Sequence, residues 1–138
     1  MLSRSRSNLV FPGTLLALAA ALLVQHTSYA GDSFQLTAVS FDTDKSCDAF
    51  SACDITWTAD VGGNTICRGA KKQDDNHPRW SGLSCSGIMQ GDWLEITYYD
   101  VDLSGNKLQG SCKFRVTKEA VYTCSSSAWS GSATIQKE

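Results

Sequence analysis

Asp100 and Asp102 stand two apart at the end of an alternating apolar run, in the stretch LEITYYDVDLSGNKLQG from Leu94 to Gly110. Alternate side chains of an extended backbone point to one side. Both carboxylates therefore face one space, where like charges repel and protonation is favoured. A hard divalent cation removes that conflict. Calcium takes roughly six to eight oxygen ligands in a flexible geometry, drawn from carboxylates, amides and backbone carbonyls. A second acidic stretch, DTDKSCDAFSACD from Asp42 to Asp54, offers Asp48 and Asp54 as further ligands. If both stretches lie at one end of a domain, four aspartates converge. The pattern is not an EF-hand: DVDLSGNKLQGS begins like one but has no acid at its end. The plain alternative is a set of solvated turn residues, because Asp and Asn are common in turns.

The elements that must hold these residues are strands. Short β-rich runs alternate with polar turns, and the pattern predicts eight strands at 34–41, 54–61, 64–69, 79–85, 92–99, 111–117, 120–125 and 130–136. Gly62-Gly63 marks a tight hairpin turn. This spacing indicates an all-β, antiparallel sandwich or barrel. Three polar connections remain: the acidic stretches 42–54 and 100–109, and a mixed-charge segment at 70–79. Long loops bearing several carboxylates are the natural place to look for function.

Residues 1–30 read as a signal peptide. Arg4 and Arg6 precede an apolar run from Leu15 to Val24, and Ser28 and Ala30 have the small-residue spacing of a cleavage site after Ala30. The run is shorter than the about 20 apolar residues a membrane span needs. No cysteine stands at the cleavage point for a lipid anchor. The expectation is an exported, soluble domain at 31–138, extracellular or, in a bacterium, periplasmic. The whole chain carries 12 Lys+Arg against 14 Asp+Glu, and without Arg4 and Arg6 the remainder has a net charge of −4. That balance argues against a nucleic-acid partner. All six cysteines, Cys47, Cys53, Cys67, Cys85, Cys112 and Cys124, follow the leader. An even count in a small exported chain implies three disulfides. No CxxC-type pair suggests zinc. Spacing alone does not choose among the many pairings.

The stretches quoted above, taken in order, give the chain a resemblance to the C2 domain family, and within it to the perforin type. DAFSACD (48–54), with aspartates six apart before a strand, is similar to the first calcium loop of such domains. DNHPRW (75–80) resembles the turn that opens a middle strand. LEITYYDVD (94–102) resembles the strand and aspartate pair of the third loop, and LQGSC (108–112) its leucine-x-glycine closure with a cysteine following. The likeness runs from about Phe34 to Thr123. It implies an eight-stranded antiparallel β-sandwich that holds calcium between loops at one end and docks on a phospholipid membrane. The implied ligands are Asp48, Asp54, Asp100 and Asp102. Family members often carry an aspartate just before the leucine-x-glycine closure, where this chain has Lys107. Asn106 is then the substitute ligand through its amide oxygen. The perforin likeness also implies a Cys112–Cys124 bond. Cys47–Cys53 and Cys67–Cys85 flank the first and middle loops as plausible local bridges.

Phe50 lies inside the first acidic loop and Leu103 in the other. Each either folds back onto the sandwich or inserts into lipid, and the membrane reading takes both as anchors. Lys71 and Lys72 add weak attraction to anionic headgroups. Trp57, Trp80 and Trp93 lie on strands and are expected in the core, whereas Trp129 near the C-terminal end is the candidate for exposure. His77 is the only histidine after the leader and sits in a turn between Asn76 and Pro78. A Ser-His-Asp hydrolase would have to use it, so no enzymatic activity is expected. The reading is a secreted, monomeric, calcium-dependent phospholipid-binding module. The alternative is a disulfide-stabilised sandwich that binds a protein or glycan, with calcium lost or only structural. Lys107 is the residue that favours the alternative.

Overall fold

The computed structural model describes residues 31–44, 47 and 52–138. The leader read at 1–30 lies outside them. Eight strands form: β1 (Ser33–Thr43), β2 (Ile55–Val61), β3 (Asn64–Arg68), β4 (Arg79–Met89), β5 (Trp93–Asp102), β6 (Gly105–Arg115), β7 (Ala120–Ser125) and β8 (Trp129–Lys137). They make two four-stranded sheets, ordered β4-β1-β8-β7 and β3-β2-β5-β6. Every strand pairing is antiparallel. The β2–β3 hairpin turns at Gly62 and Gly63, whose φ values of 58° and 82° lie in the left-handed region that favours glycine. Among the described residues no helix is long and apolar enough to cross a membrane.

Period-two burial explains the sandwich. In β5, Leu94, Ile96, Tyr98 and Asp100 alternate inward and are all buried. From the other sheet, Phe34, Leu36, Val39 and Phe41 of β1 meet them. Tyr98 reaches across the layers, donating to the Ser40 carbonyl at 3.0 Å and packing on Phe41 with ring centroids 4.8 Å apart. Burial, and then the charge of Asp42, raises its phenol pKa above the ordinary range.

The four tryptophans divide differently from expectation. Trp57 and Trp80 are buried and meet edge to face. Trp93 is 55 % exposed. It occupies the opposite parity from Leu94 and Ile96, so it points off the outer face. Trp129 is the one packed inward, stacked on Phe41 at 5.8 Å and tilted against Tyr98 at 6.1 Å. Gly110 makes this possible, because a Cβ there would collide with the Trp129 ring.

Three disulfides are formed: Cys47–Cys53, Cys67–Cys85 and Cys112–Cys124. The second joins edge strands β3 and β4, and the third joins edge strands β6 and β7. Each therefore ties one sheet to the other, on opposite flanks. The first closes a six-residue separation next to the start of β2. Bonds of this kind are consistent with an oxidising, extracellular setting.

Candidate functional site

Antiparallel alternation brings the β1–β2, β3–β4 and β5–β6 connections to one end of the sandwich. Asp54, at the end of the first acidic stretch, thus lies beside the aspartate pair, with its N–H on Asp100 and its carbonyl accepting the Val101 N–H. The β3–β4 segment is pinned beside them. Ile55 and Lys72 exchange backbone bonds of 2.9 and 2.8 Å, Asp75 N–H donates to the Cys53 carbonyl, and Cys53 N–H donates to the Asn76 side chain at 3.0 Å.

The stretch 100–109 is not the long loop its composition suggested. β5 continues through Asp102 and pairs with β6 as far as Asp102↔Gly105, leaving only Leu103 and Ser104 at the tip. Gly105, at φ 121°, takes the turn. The register shifts between Tyr98↔Gly110 and Tyr99↔Leu108, so Gln109 is an extra residue on β6. Such a bulge reverses which face the following residues present. Cys112 and Gly110 stand opposite inward residues of β5. Beyond the bulge, Lys107 stands opposite Asp100 and Asn106 opposite Val101. Asn106 is thereby carried to the outer face, where it lines a cleft with Thr56, Thr58 and Tyr99. The structure separates it from the aspartates it was expected to join and puts Lys107 there instead.

The three described aspartates have distinct surroundings. Asp100 is fully buried, at 0 % exposure. Its Oδ1 accepts the Asp54 backbone N–H at 2.9 Å, and its Oδ2, equally buried, has no hydrogen-bond partner among the described residues. Asp54 accepts Lys71 Nζ at 2.8 Å on Oδ2 and the Asp74 N–H at 2.9 Å on Oδ1. The Lys71 hydrogen bond, then the Asp74 one, hold its carboxyl below the usual range. Asp102 is paired with the Lys107 ammonium through Oδ2, while Oδ1 accepts the backbone and hydroxyl of Ser104 at 2.6 and 2.5 Å. The Lys107 bond, followed by those from Ser104, lowers its pKa from 3.8 to about 2. Asp48 and Phe50 lie outside the described residues. Leu103 is fully exposed at the hairpin tip. An open cleft of about 580 Å³ is lined by Asp54, Lys71, Val101, Asp102, Leu103 and Ser104.

Next to this tip, Asp42 accepts Arg79 at 2.6 Å and lies 3.1 Å from His77 Nδ1. Burial raises the Asp42 pKa, but hydrogen bonds and charge from Arg79 and His77 outweigh it and leave the net shift downward. His77 is occupied in holding the β3–β4 turn, with its N–H on Asp75 Oδ1 at 2.8 Å. Sequence reasoning missed Lys71 as a partner of Asp54. The backbone pairing of Ile55 with Lys72 determines that contact, and no local pattern announces it.

The arrangement resembles solved structures in fold. One described as a C2 domain superposes with a TM-score of 0.68 at 14 % identity, covering 78 % of this chain and 98 % of that one. A C2 domain of plant extended synaptotagmin 1 gives 0.59 at 12 % identity, over 78 % and 94 % of the two chains. The fold is that of a C2 domain. Human GIVD cytosolic phospholipase A2, solved with a fluorophosphonate inhibitor and terbium chloride, gives 0.61 at 17 % identity over 79 % of this chain. The match covers only 18 % of that enzyme. No protein-family model matches the chain, and no curated protein matches it in sequence. What these structures share with the chain is the C2 fold in general.

The donor chemistry at the tip of this C2-like fold suits calcium. Asp54, Asp100 and Asp102 offer only hard oxygen donors, and the orphaned Asp100 Oδ2 is an acceptor buried where no donor of the described residues reaches it. As they stand, Asp54 and Asp102 are closed onto Lys71 and Lys107. Among the described residues no three acidic, histidine or cysteine side chains group at metal-binding spacing.

Proposed function

We propose that the chain is a non-enzymatic, calcium-dependent module that binds phospholipid surfaces through the tip of its sandwich. Asp54, Asp100 and Asp102, with Asp48 of the β1–β2 connection, would hold calcium, which would neutralise them and supply attraction for lipid phosphate. The observation that carries the reading is the buried Asp100 Oδ2, without a partner among the described residues, on the strand end it shares with Asp102. The other Asp100 oxygen accepts the Asp54 N–H, which favours this orientation of the carboxylate. Leu103 at the tip, and Phe50 in the first loop, add apolar contact. A secreted, monomeric protein is the matching setting.

Co-sedimentation with phosphatidylserine–phosphatidylcholine vesicles tests this. The protein should pellet with millimolar calcium and stay in the supernatant with chelator. Leu103→Ala should keep calcium binding and weaken only the vesicle step, by up to about 1.5–3 kcal/mol if the side chain is fully buried in lipid. A protein that stays in the supernatant under both conditions refutes the membrane reading.

One observation favours the second reading, a module for a protein or glycan partner. A cleft of about 520 Å³ at the opposite end is lined by exposed Trp93 with Asp60, Glu95 and Lys113. An aromatic face edged by polar groups suits such a ligand. Loss of binding in Trp93→Ala, with vesicle binding absent in the parent, would move the assignment there.

A further inference from the structure

We propose that Lys71 and Lys107 are built-in counter-cations that compete with calcium for Asp54 and Asp102, and so set the calcium concentration at which the tip becomes loaded. The proposal rests on the calcium reading of the same site and concerns its regulation.

Both lysines are delivered by backbone rather than by chance. Lys71 precedes Lys72, whose two backbone bonds with Ile55 fix it beside Asp54. Lys107 faces the aspartates because the Gln109 bulge turns it inward, opposite Asp100. The two ammoniums come from different elements, the β3–β4 connection and strand β6, and engage different carboxylates: Lys71 Nζ lies 2.8 Å from Asp54, and Lys107 Nζ is paired with Asp102. Neither hydrogen-bonds Asp100 Oδ2, which is without a partner among the described residues. Two ammoniums thus cover two of the three described carboxylates.

The oxygens that an incoming divalent ion would take, Asp54 Oδ2 and Asp102 Oδ2, are the ones the two ammoniums hold. An ion and an ammonium on one carboxylate oxygen would also repel each other. Entry of calcium is therefore coupled to departure of one or both ammoniums. Departure is open to them, since the lysine side chains are 43 % and 56 % exposed and carry long flexible stems. Lysines released beside Leu103 would point where an anionic surface arrives.

The test is calcium titration by calorimetry of the whole chain and of Lys71→Met, Lys107→Met and Lys107→Arg, with thermal melts in chelator alongside. Removing a competitor should tighten calcium binding about threefold or more in each Met variant, given that exposed ion pairs are worth up to about fivefold in an equilibrium. Lys107→Arg should bind as the parent does. In chelator, the Met variants should melt lower, because their aspartates have lost a counter-charge. Met variants that bind calcium with the parent's affinity or weaker overturn the proposal while the calcium reading stands. If the parent binds no calcium up to about 10 mM, at the weak end for extracellular modules, but a Met variant does, the lysines are permanent occupants: the proposal holds and calcium-dependent docking fails. If neither parent nor variants bind, both are overturned.

Discussion

Asp100→Asn gives the sharpest test of the tip, because it moves stability in opposite directions with and without the ion. Asp100 is fully buried, holds the Asp54 N–H with one oxygen, and leaves the other without a partner among the described residues. A buried polar atom left unsatisfied costs about 1–3 kcal/mol, and more when charged. Asparagine keeps the shape and can still accept from Asp54 through its amide oxygen. Its nitrogen is also unpaired but carries no charge, so the penalty falls to the smaller, neutral one. The variant should therefore be about 1 kcal/mol more stable than the parent in chelator, or roughly 4–8 °C in melting temperature for a domain near 100 residues. In calcium the order should change. A site with a dissociation constant near 10⁻⁴–10⁻³ M, common for extracellular modules, would stabilise the parent at about 10 mM calcium by about 1.4–2.7 kcal/mol. The variant, with a central ligand charge gone, should lose most of that gain. Thermal scans of both proteins in chelator and in calcium read this out. Parent scans that superimpose would refute calcium binding. A variant that melts below the parent in chelator would refute the role given to the unpaired oxygen.

Two further outcomes are expected. The pKa of Asp102 is depressed from 3.8 to about 2, so the stability it contributes is complete above about pH 4 and is lost as pH falls from there towards 2; melts across that window should fall less steeply in Lys107→Met, and equal slopes would mean the pair contributes nothing. Replacing Cys112 and Cys124 together with serine releases a 12-residue separation and should cost about 3 kcal/mol on the chain-entropy account, seen as a lower urea midpoint, with a midpoint equal to the parent's counting against that staple.

The strands were legible because their alternation is undisturbed. β2 and β5 carry inward residues at every second position, and the Gly62-Gly63 turn has a backbone signature of its own. Cys112–Cys124 was legible through a family likeness, and Cys47–Cys53 and Cys67–Cys85 only as plausible bridges across the loops they flank, since spacing alone selects none of them. The tip was harder. Ser104, Gly105 and Asn106 signal a turn, but their composition does not say that ladder pairing resumes at Gly105. Counting by twos from Cys112 puts Asn106 among the inward positions and Lys107 outside. One extra residue at Gln109 inverts both, and a bulge has no mark in the residues themselves. The tryptophans went astray for a related reason. Trp93 sits on a strand like Trp57, yet parity and not strand membership decides burial. Trp129 found its place because Gly110, on a distant strand, has no side chain.

The two disulfides between edge strands have a consequence for how the molecule can change over evolutionary time. A sandwich tends to open by its sheets peeling apart from a flank, and a freed edge strand is also where a second chain adds on. Here one flank is fastened by Cys67–Cys85 and the other by Cys112–Cys124. Neither sheet can swing away from the other without breaking a covalent bond. At the loop end the third disulfide, Cys47–Cys53, lies within the β1–β2 connection and does not staple strand to strand. Residues there can accumulate mutually repelling charge, shorten a hairpin or accept a bulge while the body stays assembled. The clamped flanks thus release the loop end from any duty to hold the sheets together, and natural variation in such a chain should concentrate at that end.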